Sequence, residues 1–97
     1  MDKRMSGERE FRRKLERRDI NRIMSTEKVM IRIGVKGLTE GLLNEIKRQL
    51  NARGAIKIRV LKSVREKITE EDLKEFLRKI NARIISRRGY VYLVAKT

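Results

Sequence analysis

Ninety-seven residues with 27 Lys or Arg against 13 Asp or Glu carry a formal net charge of +14, and 39% of the chain is hydrophobic. A chain this short makes one compact domain, burying about 60 to 65% of its unfolded surface. Cysteine and histidine are absent, which removes disulfides, thiol chemistry and His-mediated proton transfer, while the basic excess points to a polyanionic partner.

The first 28 residues hold ten basic and six acidic side chains with few apolar ones. Phe11 and Leu15, at i, i+4 spacing, predict a helix from Glu8 to about Arg18 that docks weakly or orders on a partner. Ile20, Ile23 and Met24 fall off that stripe, so an irregular link is expected through Ser25 and Thr26. Arg12-Arg13-Lys14 and Arg17-Arg18 suit phosphate contacts, and equally a solvated charged helix. Residues 1–27 are read as a basic, partly helical extension and residues 28–97 as the folded domain. No apolar run approaches a membrane span and the N-terminus is too charged for a secretory signal, so a soluble, cytoplasmic protein is expected. Richness in Lys, Arg, Glu and Ile fits an archaeal or thermophilic composition.

Val29, Ile31 and Ile33 alternate with Met30 and Arg32, the pattern of a strand with one buried face. Gly34-Val35-Lys36-Gly37 then forms a strand-to-helix turn with a glycine at each end. Glycine lets a backbone turn sharply and approach a partner closely, helix-start amides attract anions, and Lys36 adds a mobile positive charge. Alone, two glycines three apart mark an ordinary tight turn as readily as a phosphate-binding loop. Thr39 is placed as an N-cap, with Leu38 and Leu43 as a hydrophobic staple. Leu42, Leu43, Ile46 and Leu50 make the apolar stripe of the helix, Lys47, Arg48 and Asn51 lie opposite, and Gly54 stops it.

Ile56, Ile58 and Val60 alternate with Lys57, Arg59 and Leu61 in a second strand. A basic loop from Lys62 to Lys67 leads to Thr69-Glu70-Glu71-Asp72, a capping-box-like start whose acids suit the positive end of a helix. Helix-start electrostatics explains these clustered acids better than a metal site does. Leu73, Phe76, Leu77 and Ile80 form the core stripe of that helix, and Asn81 can end it in a left-handed conformation. Arg83 to Arg87 and Tyr90 to Ala95 read as two strands joined around Arg88-Gly89. Tyr90 and Tyr92 share one strand face, read as core. Two strand-helix-strand passages favour crossovers, so the expected fold is a single small α/β domain with a four-stranded mixed sheet packed with helices.

The string Ile33-Gly34-x-x-Gly37-Leu38-Thr39-Glu40-Gly41-x-Leu43-x-Glu45-Ile46, followed by Ile56-Lys57 and Arg65-Glu66, resembles the CRM domain family, the chloroplast RNA splicing and ribosome maturation domains, called YhbY-like when they stand alone. The resemblance runs from about Val29 to Lys96. Asn81-Ala82 stands where that family usually has Gly-Ala, and Leu93-Val94-Ala95-Lys96 where a Tyr-Arg pair is common. It implies an RNA-binding domain whose GxxG loop contacts RNA, an N-terminal helix, and a fold similar to the C-terminal domain of bacterial translation initiation factor 3, an analogy that identifies no site.

Residues 29 to 65 hold nine basic side chains against Glu40 and Glu45, whereas five acids fall between Glu66 and Glu75. The GxxG side should be positive and the start of the following acidic helix comparatively negative, which orients a partner. The candidate RNA-binding set is Arg32, Gly34, Val35, Lys36, Gly37, Thr39, Lys47, Arg48 and Arg65. The expected partner is structured RNA, ribosomal RNA or the assembling large subunit, bound by a protein monomeric when free, with no cofactor, membrane or small-molecule substrate. No paired-carboxylate or nucleophile-and-base spacing stands out, so no catalysis is expected. Composition alone also permits a small basic DNA-binding architectural protein.

Overall fold

The computed structural model describes residues 17–26 and 28–96. Phe11, Leu15 and the cluster from Arg12 to Lys14 lie outside them. The elements are α1 (Arg17–Thr26), β1 (Val29–Ile33), α2 (Glu40–Arg53), β2 (Ala55–Val60), a 3-10 turn (Lys62–Val64), α3 (Glu70–Arg78), β3 (Ala82–Arg88) and β4 (Val91–Lys96). The four strands form one mixed sheet in the order β1-β2-β4-β3, with β1 parallel to β2 and β4 antiparallel to both neighbours.

One face of the sheet carries the main core. Ile31, Ile33, Ile56, Ile58, Val60, Tyr92 and Val94 meet Ile46 and Leu50 of α2 and Leu73, Phe76 and Leu77 of α3. Leu73 and Leu77 have no exposed surface, and burying a side chain of this size stabilises the fold by about 1.5 to 3 kcal/mol. Both helices start as their residues dictate. The Leu42 amide donates to Thr39 Oγ1 at 3.1 Å, and Thr69 and Asp72 cap each other reciprocally at α3, contacts typically worth about 1 kcal/mol apiece. Asn81 ends the α3 segment at φ 55, the left-handed conformation its side chain tolerates.

α1 covers part of the opposite face. Met24 on α1 and Leu93 and Ala95 on β4 are buried yet stand outside the main cluster, and the Lys57 ammonium donates to the Met24 carbonyl at 2.8 Å. Two expectations are corrected here. Ser25 and Thr26 are helical rather than an irregular link, because Ile20, Ile23 and Met24 are themselves at i, i+3, i+4 spacing and form a stripe of their own. Lys57 is 8% exposed rather than solvated, since the sheet is covered on both sides there.

The alternation of β1 is also broken. Val29 pairs with Lys57 and Ile31 with Ile58, so two steps on β1 match one on β2. This bulge puts Val29 on the Lys57 side of the sheet, and Met30 packs against the main core, an outcome that strict period-two reading misses.

Candidate nucleic-acid interface

Strand directions gather three connections at one end of the sheet. Ile33 stands opposite Val60 where the parallel pair ends, and Val91, the first residue of β4, faces Arg59 on one side and Arg88 on the other. The turn Gly34–Gly37, the loop from Leu61 to Lys67 and the turn from Arg88 to Tyr90 therefore emerge side by side. Backbone bonds tie them together: the Leu61 amide donates to Ile33 O and the Val60 amide to Tyr90 O, both at 2.9 Å. The N-termini of α2 and α3 open at this same end.

The GxxG turn closes on itself, Gly37 donating its amide to Gly34 O at 2.8 Å. Val35 at its tip is 82% exposed, and Lys36 beside it is exposed too. Gly37 sits at φ +72, and a Cβ there would meet nothing within 4 Å. Backbone conformation thus demands glycine at this position, and the space in front of it is open. Gly41, in the first turn of α2, is exposed and its φ is ordinary; a Cβ there would meet only Thr39 Oγ1, at 3.9 Å. Nothing among the described residues requires glycine at 41, although it lowers helix stability by up to about 1 kcal/mol relative to alanine. Its bare backbone leaves room for a partner at the positive end of α2.

The cations divide into engaged and unengaged groups. Arg48 holds Glu45 through two hydrogen bonds of 3.1 and 2.6 Å; these bonds hold the Glu45 carboxyl below its ordinary pKa and raise that of Arg48. Arg87 bonds Glu70 at 2.8 Å, lowering the Glu70 pKa chiefly through that contact. Arg88 donates to Asn21 Oδ1 at 2.8 Å and Ser25 Oγ at 3.3 Å, clamping α1 to the hairpin. Arg65 donates to Val60 O at 3.4 Å and lies 4.0 Å from the centroid of the Tyr90 ring. By contrast, Arg32, Lys36, Lys47, Arg59 and Lys62 make no side-chain hydrogen bond or ion pair among the described residues. Arg17, Lys28, Lys67, Lys79 and Arg83 are likewise unengaged among the described residues; Arg32, Lys36, Arg59, Lys62 and Lys67 are the ones at or next to the GxxG end.

Seven of the nine candidate residues are therefore brought together: Arg32, Gly34, Val35, Lys36, Gly37, Thr39 and Arg65. Thr39 has a structural duty as the cap of α2. Lys47 and Arg48 lie two turns along α2, about 10 Å from its start, and Arg48 is already bound by Glu45. Tyr90 and Tyr92 do not share a strand face. Tyr92 is 3% exposed in the core, where burial raises its phenol pKa, whereas Tyr90 precedes β4 in the turn and is 39% exposed.

Sequence reasoning left Arg59, Lys62 and Gly41 outside the candidate set. Arg59 had a usable signal: Arg32 and Arg59 each sit one residue before the last apolar position of their strand, and parallel pairing of consecutive strands makes them neighbours.

No curated protein matches the chain. Among solved structures, the solution structure of the hypothetical protein SAV1595 from Staphylococcus aureus, a candidate RNA-binding protein, superposes with a TM-score of 0.56 at 19% identity, covering 82% of each chain; that likeness speaks for the fold. The sequence profile of the CRS1 / YhbY (CRM) domain matches residues 13–96, through both helices packed on the core, all four strands and the GxxG turn between β1 and α2. On that match, the chain belongs to the CRS1 / YhbY (CRM) domain family.

Proposed function

We propose that the protein binds structured RNA through the end of the sheet that carries the Gly34–Gly37 turn, and that the RNA is ribosomal, met during assembly of the large subunit or on the ribosome. The observation that carries this reading is the gathering of unengaged cations, Arg32, Lys36, Arg59 and Lys62, around an open glycine turn and a capped helix start. The amides of the turn and of α2 donate to phosphate oxygens, Lys36 and Arg32 neutralise the neighbouring phosphates, and Arg65 is held ready on the adjoining loop. Acidic residues at the start of α3, Glu70, Glu71 and Asp72, steer the phosphates toward the α2 side. Readout is of shape and backbone, because Tyr90 is the exposed aromatic at this end and its ring is already stacked on Arg65; weak sequence preference follows.

Crosslinking in cells that make the protein, followed by sequencing of the bound RNA, tests this. Enrichment of large-subunit ribosomal RNA is the expected result. Crosslinks spread over unrelated transcripts would remove the ribosomal assignment. The DNA-coating reading rests on composition alone; competition of duplex DNA against structured RNA at fixed salt separates the two, and equal affinity would favour DNA coating.

A further inference from the structure

On the sheet face turned away from α2 and α3, one lateral row crosses all four strands. Arg32 is the register partner of Arg59, Arg59 that of Val91, and Val91 that of Arg88. The row therefore reads Arg, Arg, Val, Arg, one residue below the end of the sheet where the GxxG turn begins. Arg32 and Arg59 are exposed, stand about 4.8 Å apart as in-register strand neighbours, and have no acidic or other polar partner among the described residues. Arg88 is oriented by Asn21 and Ser25 of α1, which supply neutral acceptors rather than a countercharge.

Like charges directly opposite one another on a sheet face work against the fold. Several other cations have a countercharge: Arg48 has Glu45, Arg78 has Glu75, Arg87 has Glu70, and Lys74 has Glu70 and Glu71. Arg32 and Arg59 have none among the described residues, and they are register partners on adjacent strands where the sheet face meets the turn. A local conflict left uncompensated in the free protein is one that a polyanion resolves on binding.

We infer that the row Arg32, Arg59 and Arg88 is a second phosphate-contacting track, over which the RNA backbone held at the GxxG turn continues across the sheet face beside α1. This rests on the RNA reading above. The contacts are guanidinium to phosphate, which Arg makes through two parallel N–H donors. The footprint is therefore wider than the turn, and Arg59 contributes to it without belonging to the turn or to α2.

The test uses the full chain and a fluorescein-labelled RNA stem-loop, titrated over a salt series, with melting temperature measured alongside. Arg59→Gln should weaken binding about fivefold and lower the slope of log K against log salt by about 1, as loss of one phosphate contact does. Its melting temperature should be unchanged or higher, because neutralising Arg59 relieves Arg32. Arg59→Lys should retain the salt slope. If Arg59→Gln binds like the natural chain while Lys36→Gln is weakened, the track is wrong and the turn stands. If Lys36→Gln is equally unaffected, or the natural chain does not bind the stem-loop, the RNA reading falls and the track with it. An affinity loss that follows a drop in melting temperature would also overturn the track. So would displacement of the RNA by polyglutamate of equal charge, which would assign the row to an acidic polypeptide.

Discussion

The guanidinium of Arg65 lies 4.0 Å from the ring centroid of Tyr90, joining the loop after β2 to the turn before β4 at the end of the sheet that also bears the GxxG turn. Arg87 approaches the same ring at 5.7 Å, so Tyr90 is an organising surface for cations rather than a vacant base-stacking platform. Tyr90→Ala should loosen Arg65 and reduce RNA affinity about two- to fivefold, at a stability cost under about 1 kcal/mol. Tyr90→Phe keeps the ring and should bind like the natural chain. Equal losses in the two variants, read by fluorescence anisotropy, would show that the phenol hydroxyl and not the ring matters.

Two glycines near the turn should respond with opposite signs. Gly37→Ala places a Cβ at φ +72 and should destabilise the fold by about 1 kcal/mol. Gly37→Asp meets the same backbone angle and should lower stability as well. Gly41→Ala meets no steric obstacle and should raise stability by up to about 1 kcal/mol as a better helix former, while weakening RNA binding if the backbone there approaches a phosphate. Thermal melts and binding isotherms on the same samples check both halves.

Stability should fall on acidification through Glu70. Its carboxyl is held below the ordinary value chiefly by the Arg87 hydrogen bond, with Lys74 adding attraction. A depressed folded-state pKa means this stabilisation is fully present above the unfolded value of about 4.3 and is lost as pH falls through the lower, folded value. Glu70→Gln should therefore melt below the natural chain near neutral pH by a gap that holds until pH approaches the unfolded value of about 4.3 and narrows as pH falls below it. A gap independent of pH would mean that the carboxylate contributes through shape alone.

Much of this arrangement was legible from the residues because local rules agreed with the fold. Thr39, Gly54, Thr69 and Asn81 mark their helix ends by capping chemistry, and the alternation at Ile56, Ile58 and Val60 survives in the core. What escaped depends on contacts between distant segments. Lys57 reads as a solvated strand residue until α1 covers it. Val29 changes sides through a bulge that no local pattern announces. Arg48 looked available because a charge on an exposed helix face does not reveal that Glu45, three residues earlier, has bound it. The pairing of Arg32 with Arg59 required knowing that β1 and β2 are adjacent and in that register.

The central claim is that the GxxG turn faces RNA, and Lys36→Glu tests it most directly, since Lys36 is exposed and engages no other described side chain. Affinity for a structured RNA and melting temperature should be measured together at one salt concentration. A loss of about tenfold or more in affinity, with the melting temperature unmoved, is the predicted result. Unaltered affinity would contradict it.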